Sequence, residues 1–191
     1  TGVQTCAFRS PRVLTLTAFG ADAPAPTRSG ARAGDGLWVT GTIGDAAPGL
    51  AIARRGEARG DDEAYLLARY RRPTPRLAVG RTLAPHVHAM MDVSDGLLLD
   101  ATRMAEASGL SVTVELDAVP LSPAARAYGL DALAAATAGD DYELLFAAPL
   151  DWTPPAPATL AGRFAAGAGL SLTDRGMAVR LPDHLGYQHS A

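Results

Sequence analysis

The sequence has little cysteine, few aromatic residues and no long apolar run. Cys6 is the one cysteine among 191 residues, which excludes an internal disulfide and a metal cluster built from cysteines. No apolar stretch approaches the roughly 20 residues of a membrane-spanning helix, and the opening "TGVQTCAFRS" lacks the apolar core of a signal peptide. We therefore expect no membrane partner and a cytoplasmic location.

Excess positive charge is also absent. The chain has 17 Lys and Arg residues against 20 Asp and Glu residues, a net charge of -3. A nucleic acid is therefore not the expected partner, because its phosphates select basic surfaces. A hydrophobic fraction of 48% with 19% charged residues is typical of a globular protein. The length suffices for one large domain or two small ones.

Segments with strand character alternate with segments of helical spacing along the chain. Strands are predicted near residues 12–19, 37–44, 88–93, 111–116, 142–149 and 177–181. Helices are predicted near 45–55, with Asp45 as N-cap, and near 61–72, 96–108 and 158–166, with shorter ones in 76–83, 121–129 and 131–138. This alternation predicts an α/β or α+β fold, a mixed sheet with helices packed on one face.

A glycine- and proline-rich stretch, residues 20–36, is predicted to be a loop at a domain boundary. The segment before it fits the predicted sheet poorly. We expect residues 1–20 to be the last strand of a preceding domain and residues 21–191 to form one domain. On this interpretation the chain is a fragment, or the product of a shortened reading frame.

The stretch "MMDVSDGLLLDATRM", residues 90–104, places two acids and a serine where a strand becomes a helix. Asp92 is expected at the strand end, Ser94 in the turn and Asp95 at or beside the helix N-cap. One hypothesis is a double cap with both acids solvated. The other is a Mg²⁺ site: two crowded carboxylates need a cation between them, and Mg²⁺ binds one or two carboxylates together with phosphate oxygens.

The stretch "AGDDYELLF", residues 138–146, repeats the pattern of paired acids. Asp140 and Asp141 are predicted to lie in a loop, where they are either solvated or able to pair with a cationic small molecule. Glu143 alternates with apolar neighbours and is expected to point outward.

Two further features admit two interpretations each. Arg28 and Arg32, in the glycine-rich "RSGARAGD", suit either phosphate binding or simple solvation. Tyr187, in "LGYQHSA", could be an aromatic wall for a heterocycle or a residue packed on the surface. The four histidines show no metal-ligand spacing and are expected to be structural or exposed.

Taken together, these segments resemble the C-terminal part of the thiamine-monophosphate kinase family, within the superfamily of aminoimidazole ribonucleotide synthetase and selenophosphate synthetase. The matching stretches run in family order from residue 28 to the end, and the combination of "PTPR", "MDVSDGL" and "GDDYELLF" is the most specific part. The resemblance implies a fold like the C-terminal domain of aminoimidazole ribonucleotide synthetase.

The resemblance also implies an activity: ATP- and Mg²⁺-dependent phosphorylation of thiamine monophosphate to thiamine diphosphate, by a homodimer in the full-length family. Such phosphoryl transfer requires positioning and charge neutralisation more than a reactive side chain. Carried over position by position, the resemblance implies six site residues: Asp92 and Asp95 for Mg²⁺, Arg28 and Ser94 for ATP, and Asp140 and Tyr187 for the substrate.

One departure from the family pattern concerns its N-terminal domain. That domain carries aspartate-rich metal sites and a "GGDTT" nucleotide motif, whose aspartate "TGVQT" does not preserve. We therefore expect this chain alone to hold part of an active site and to form little thiamine diphosphate. The alternatives are a non-catalytic module that binds thiamine phosphates, or another ATP-dependent enzyme of the superfamily.

Overall fold

The computed structural model describes Thr17 and residues 25–188, so the strand predicted at 12–19 and the separate unit predicted at 1–20 lie outside the described residues, apart from Thr17. The strands are β1 Asp35–Thr40, β2 Ala89–Asp92, β3 Leu110–Glu115, β4 Leu144–Pro149, β5 Ala158–Ala166, β6 Gly169–Asp174 and β7 Met177–Val179. The helices are α1 Ala46–Arg55, α2 Gly60–Arg71, α3 Leu77–Leu83, α4 Leu97–Ser108, α5 Pro123–Tyr128 and α6 Ala132–Thr137, with a short 3₁₀ turn at Leu116–Ala118.

Seven strands form one mixed sheet in the order β2-β4-β1-β5-β3-β6-β7. β3 and β6 run parallel, and the other neighbouring strands pair antiparallel. The mixed α/β class predicted from the sequence is confirmed.

The main hydrophobic core lies between the sheet and α4. Leu97, Ala101, Met104 and Ala105 of α4 are fully or almost fully buried, and they pack with the strand side chains of the same cluster. These residues form the stripe that helical spacing predicts. The helix ends at Gly109, whose φ of 68° is the left-handed conformation that glycine adopts most readily.

The opposite face of the sheet carries a smaller apolar cluster. Successive side chains of a strand point to opposite faces, so Trp38 and Phe146 face away from the main core. Their rings stack with centroids 6.5 Å apart, and Leu83 of α3 packs against them. The sheet therefore has α4 and α6 over one face and a short helix, α3, over part of the other.

The helix predicted near 158–166 is wrong: this segment is β5, a strand inside the sheet. Its sequence, "ATLAGRFAA", is rich in alanine, the strongest helix former. Pairing with β1 on one side and β3 on the other satisfies its backbone groups instead, so tertiary context overrides local propensity. The strand β6 was likewise not predicted.

Gly162 gives a test of the β5 strand. A Cβ at Gly162 would lie 2.1 Å from the Thr113 carbonyl oxygen of β3, and backbone yields less easily than a side chain. Gly162→Ala should therefore lower the free energy of unfolding by about 1–3 kcal/mol, measured by urea titration. Gly80→Ala, inside α3 with ordinary contact distances, is the control and should raise stability by up to about 1 kcal/mol. Stabilisation by Gly162→Ala would contradict the strand.

Candidate active site

The turn before α4 is held by a buried acid that sequence reasoning missed. The Asp100 carboxylate accepts the backbone N–H groups of Ser94 and Asp95, at 2.9 and 3.0 Å. Asp100 is fully buried and pairs with Arg103 at 2.9 Å. The N-cap of α4 is Gly96, so Asp95 lies beside the cap position, as expected from the sequence. The available signal was the acid in the first turn of the helix, where the helix dipole favours negative charge.

Asp92 and Asp95, the two acids of "MDVSDG", differ in their surroundings. Asp92 is exposed at the end of β2. The Asp95 carboxylate receives a hydrogen bond from Arg103 Nη1 at 2.5 Å. Both carboxylates thus lie at the sheet edge, and the N-cap position of α4 is held by Gly96.

The loop 140–143 is attached to this turn through the main chain. Asp140 N–H donates to the Ser94 carbonyl and Tyr142 N–H to the Val93 carbonyl, each at 2.8 Å. Val93 N–H returns a bond of 2.8 Å to the Glu143 carbonyl. These bonds continue the β2–β4 pairing beyond the strand ends, and they bring Asp140 beside the Asp92–Asp95 segment.

The segment near Tyr187 reaches the same turn from the other side. Tyr187 N–H donates to the Asp95 carbonyl at 2.8 Å, and the Tyr187 side chain is 60% exposed. The approach requires Gly186, because a Cβ there would lie 2.3 Å from that carbonyl oxygen. Five of the six predicted site residues thus share one edge of the sheet.

Arg28, the sixth predicted residue, lies in an exposed turn beside β2. The preceding Thr27 carbonyl accepts from Met90 N–H at 3.1 Å, two residues before Asp92. The Arg28 carbonyl accepts from the Ser108 hydroxyl at 3.4 Å. The main chain of this turn is therefore fixed along β2, with the Arg28 side chain toward solvent.

The sequence predicted that the Glu143 side chain points outward, but it is fully buried. Its carboxylate accepts from Arg69 Nη2 at 2.9 Å, Arg76 Nε at 2.7 Å and the Thr40 hydroxyl at 2.7 Å. Gly41 is required beside it, since a Cβ there would lie 2.3 Å from a carboxylate oxygen. We call this arrangement the Glu143 clamp. Its two arginines come from α2 and from the start of α3, which no local sequence pattern connects to β4.

Asp141 is also buried, and it caps α1 from outside that helix. Its carboxylate accepts from Gly44 N–H at 2.7 Å and Ala46 N–H at 3.3 Å. Asp45, the predicted cap, accepts instead from the Ser122 hydroxyl at 2.5 Å. Burial raises the pKa of the Asp141 carboxyl to about 7, although the two N–H bonds oppose the rise.

Tyr142 lies within reach of the site carboxylates. Its hydroxyl donates to Asp140 Oδ1 at 3.1 Å. Partial burial raises the pKa of this hydroxyl, and the negative charges of Asp140, Asp92 and Asp95 add to the effect. The four side chains therefore share one electrostatic environment.

Other elements of the described chain bear on the sequence-based expectations. Among residues 25–188 and Thr17, no group of three or more His, Cys, Asp or Glu side chains is placed to hold a metal ion. His88 pairs with Asp35 at 2.9 Å and the His86 ring lies 6.1 Å from that of Trp152, in agreement with structural roles. No helix of the described part is long and apolar enough to cross a bilayer.

The fold and this edge define a mixed α/β domain that presents carboxylates and aromatic rings around a strand-to-helix turn. Residues 32–154 match the family described as AIR synthase related protein, C-terminal domain. The chain belongs to this family.

Within this family, the chain is similar to proteins named thiamine-monophosphate kinase. The thiamine-monophosphate kinase of Caulobacter vibrioides is 38% identical over 207 aligned positions, which cover 98% of this chain and 58% of the relative. The thiamine-monophosphate kinase structure from Stenotrophomonas maltophilia K279a superposes with a TM-score of 0.72 at 36% identity, covering 82% of this chain and 55% of that one. AaThiL complexed with AMPPCP and TMP gives a TM-score of 0.72 at 33% identity, covering 84% and 53%.

These comparisons confirm the resemblance seen in the sequence and the expected fold. The chain spans about half the length of the curated relatives it matches.

The raised pKa of Asp141 predicts a pH effect on stability. Between pH 4 and 7 the folded state holds a proton on Asp141 that the unfolded state releases, so this group's contribution to the free energy of unfolding falls as pH rises. The slope approaches about 1.4 kcal/mol per pH unit. Asp141→Asn removes this titration, and the variant should therefore gain stability relative to wild type as pH rises through that interval.

Urea unfolding at half-unit steps from pH 4 to 8 measures the difference between the two proteins. The matched control is Asp131→Asn, an exposed aspartate that caps α6 by accepting from Ala134 N–H at 2.7 Å. A difference between wild type and Asp141→Asn that stays flat across this range would contradict the prediction.

Proposed function

We propose that the protein carrying this chain is a thiamine-monophosphate kinase, which transfers the γ-phosphoryl group of ATP to thiamine monophosphate and forms thiamine diphosphate. The observation that carries the proposal is the convergence of Asp92, Ser94, Asp95, Asp140 and Tyr187 on one edge through main-chain hydrogen bonds. It is supported by the relatives named for this activity and by the similarity to AaThiL complexed with AMPPCP and TMP. Because the chain spans about half of those relatives, the activity is proposed for the whole protein.

The reaction suits a site built for positioning. A phosphate oxygen of thiamine monophosphate forms the new bond to the γ-phosphorus as the bond to the bridging oxygen of ADP breaks. Such transfer needs alignment and charge stabilisation rather than a nucleophilic side chain. Asp140, exposed at the loop, and the Tyr187 ring would bind the flat, cationic rings of the acceptor, because carboxylates and aromatic faces both attract cations.

Asp92 and Asp95 would hold Mg²⁺. The donor set fits this ion: Mg²⁺ takes one or two carboxylates and completes its shell with water and phosphate oxygens, and the N-cap position of α4 is occupied by Gly96 rather than by either acid. Bound Mg²⁺ would neutralise charge on the phosphates. Arg103, which now pairs with Asp95, would remain within reach of that carboxylate.

Arg28 and Ser94 would contact ATP. The exposed guanidinium of Arg28 offers paired N–H donors, a geometry suited to phosphate oxygens. Ser94 lies in the turn whose backbone Asp100 fixes, between the two proposed Mg²⁺ ligands. We also propose that the whole protein is located in the cytoplasm and forms a homodimer.

Substitution of the two acids tests the proposed Mg²⁺ site. In the protein as the cell makes it, Asp92→Asn or Asp95→Asn should lower the rate of thiamine diphosphate formation on the order of 100-fold or more, because metal-assisted charge stabilisation amounts to several kcal/mol. Stability should change little, since Asp92 is exposed and asparagine at 95 still offers an oxygen to Arg103. Initial rates over a Mg²⁺ series measure the effect.

Asp61→Asn is the matched control, because it makes the same chemical change at an exposed acid in the first turn of α2. Its rates should equal those of wild type. Wild-type Mg²⁺ dependence in both Asp92→Asn and Asp95→Asn would contradict the metal site. A wild-type protein that binds thiamine monophosphate but never phosphorylates it would favour the binding-module alternative.

A further inference from the structure

The side chains of the loop 140–143 are alternately exposed and buried. The proposed function assigns no role to Tyr142, one of the exposed residues. Asp141 and Glu143 are buried and fully engaged, one at the start of α1 and the other in the Glu143 clamp. Asp140 and Tyr142, which alternate with these acids along the chain, are exposed, and Tyr142 is 42% exposed. The buried acids therefore fasten the loop, and the other two side chains are presented outward.

Both outward-pointing residues have left-handed backbones. The φ angles are 68° at Asp140 and 53° at Tyr142. This region is tolerated by aspartate but is unusual for a bulky aromatic residue. Such strain persists where surrounding contacts over-determine the backbone, and it concentrates at functional sites. Here the neighbours of Tyr142 are anchored on both sides, and its own N–H is bonded to the Val93 carbonyl.

Tyr142 is positioned by two hydrogen bonds, one from its amide to the Val93 carbonyl and one from its hydroxyl to Asp140. The Tyr142 N–H donates to the Val93 carbonyl and the Tyr187 N–H donates to the Asp95 carbonyl, each at 2.8 Å. Two exposed aromatic residues thus flank the same three-residue segment of the turn. The Tyr142 hydroxyl also donates to Asp140, the carboxylate that the proposed function assigns to the acceptor.

We propose that Tyr142 is a second aromatic binding residue for the acceptor, with its ring against the flat cationic group and its hydroxyl orienting the Asp140 carboxylate. This inference rests on the proposed function and adds a specificity-determining residue to it. Together, Tyr142, Tyr187 and Asp140 select acceptors that are both planar and cationic, because aromatic faces and carboxylates share that preference.

A purely structural role for Tyr142 predicts different behaviour. If Tyr142 only held the loop, its replacement would affect stability and both substrates alike. Asparagine adopts the left-handed conformation more readily than tyrosine does, so Tyr142→Asn removes the ring without adding backbone strain. Tyr142→Phe keeps the ring and removes only the hydroxyl bond to Asp140.

Steady-state kinetics of the protein as the cell makes it, with each substrate varied in turn, tests the proposal. Tyr142→Asn should raise KM for thiamine monophosphate roughly 3- to 30-fold, with KM for ATP unchanged. Tyr142→Phe should retain most of the affinity. Tyr187→Ala should shift the same KM in the same direction. Tyr128→Asn, at a tyrosine that is 41% exposed at the end of α5, is the matched control and should match wild type.

Two outcomes overturn the inference, and they can be told apart. If wild type phosphorylates thiamine monophosphate while Tyr142→Asn leaves its KM unchanged, or alters both KM values equally, Tyr142 is not an acceptor-binding residue and the proposed function stands. If wild type neither phosphorylates nor binds thiamine monophosphate, the proposed function fails and this inference fails with it.

Discussion

The carboxylate of Glu143 sits in the interior of the protein between two guanidinium groups, and the geometry of the candidate site depends on it. A buried carboxylate is strongly unfavourable unless it is paired and hydrogen-bonded. Arg69 from α2 and Arg76 from the start of α3 supply the charge, and Thr40 of β1 supplies a further donor. Three elements therefore converge on the residue that precedes β4. This convergence fixes where β4 begins and how the loop before it runs.

Two further buried acids, Asp100 and Asp141, also position the main chain of the site, whereas nearby acids are exposed. Asp100 is buried and binds the N–H groups of Ser94 and Asp95, while Asp92 is exposed at the end of β2. Asp141 is buried and caps α1, while its neighbour Asp140 is exposed. Buried acids thus hold the main chain in place, and the exposed Asp92 and Asp140, together with the partly buried Asp95, carry the chemistry that we propose. The closely spaced acids of this chain do not all serve one purpose, because burial separates their roles.

The sequence predicted those parts of the fold that local patterns determine. The buried stripe and terminal glycine of α4 follow from helical spacing and from the conformational freedom of Gly109. The β5 strand was missed because its alanines favour a helix and its stabilising partners, β1 and β3, are distant in sequence. The prediction that Glu143 points outward was wrong because its partners are also distant in sequence. Thr40, one of them, is separated from it by 103 positions. The residues of the candidate site were predicted through family motifs, and their roles stay predictions.

Amide hydrogen exchange in an Arg76→Gln variant tests most directly whether the Glu143 clamp sets the site geometry. The account predicts faster exchange, by about 10-fold or more, at the Val93 and Tyr142 amides, because a charge-assisted hydrogen bond contributes about 1.5–3 kcal/mol. Amides within α4, such as that of Met104, should exchange as in wild type. Unchanged exchange at Val93 and Tyr142, or an equal increase throughout the protein, would contradict the account.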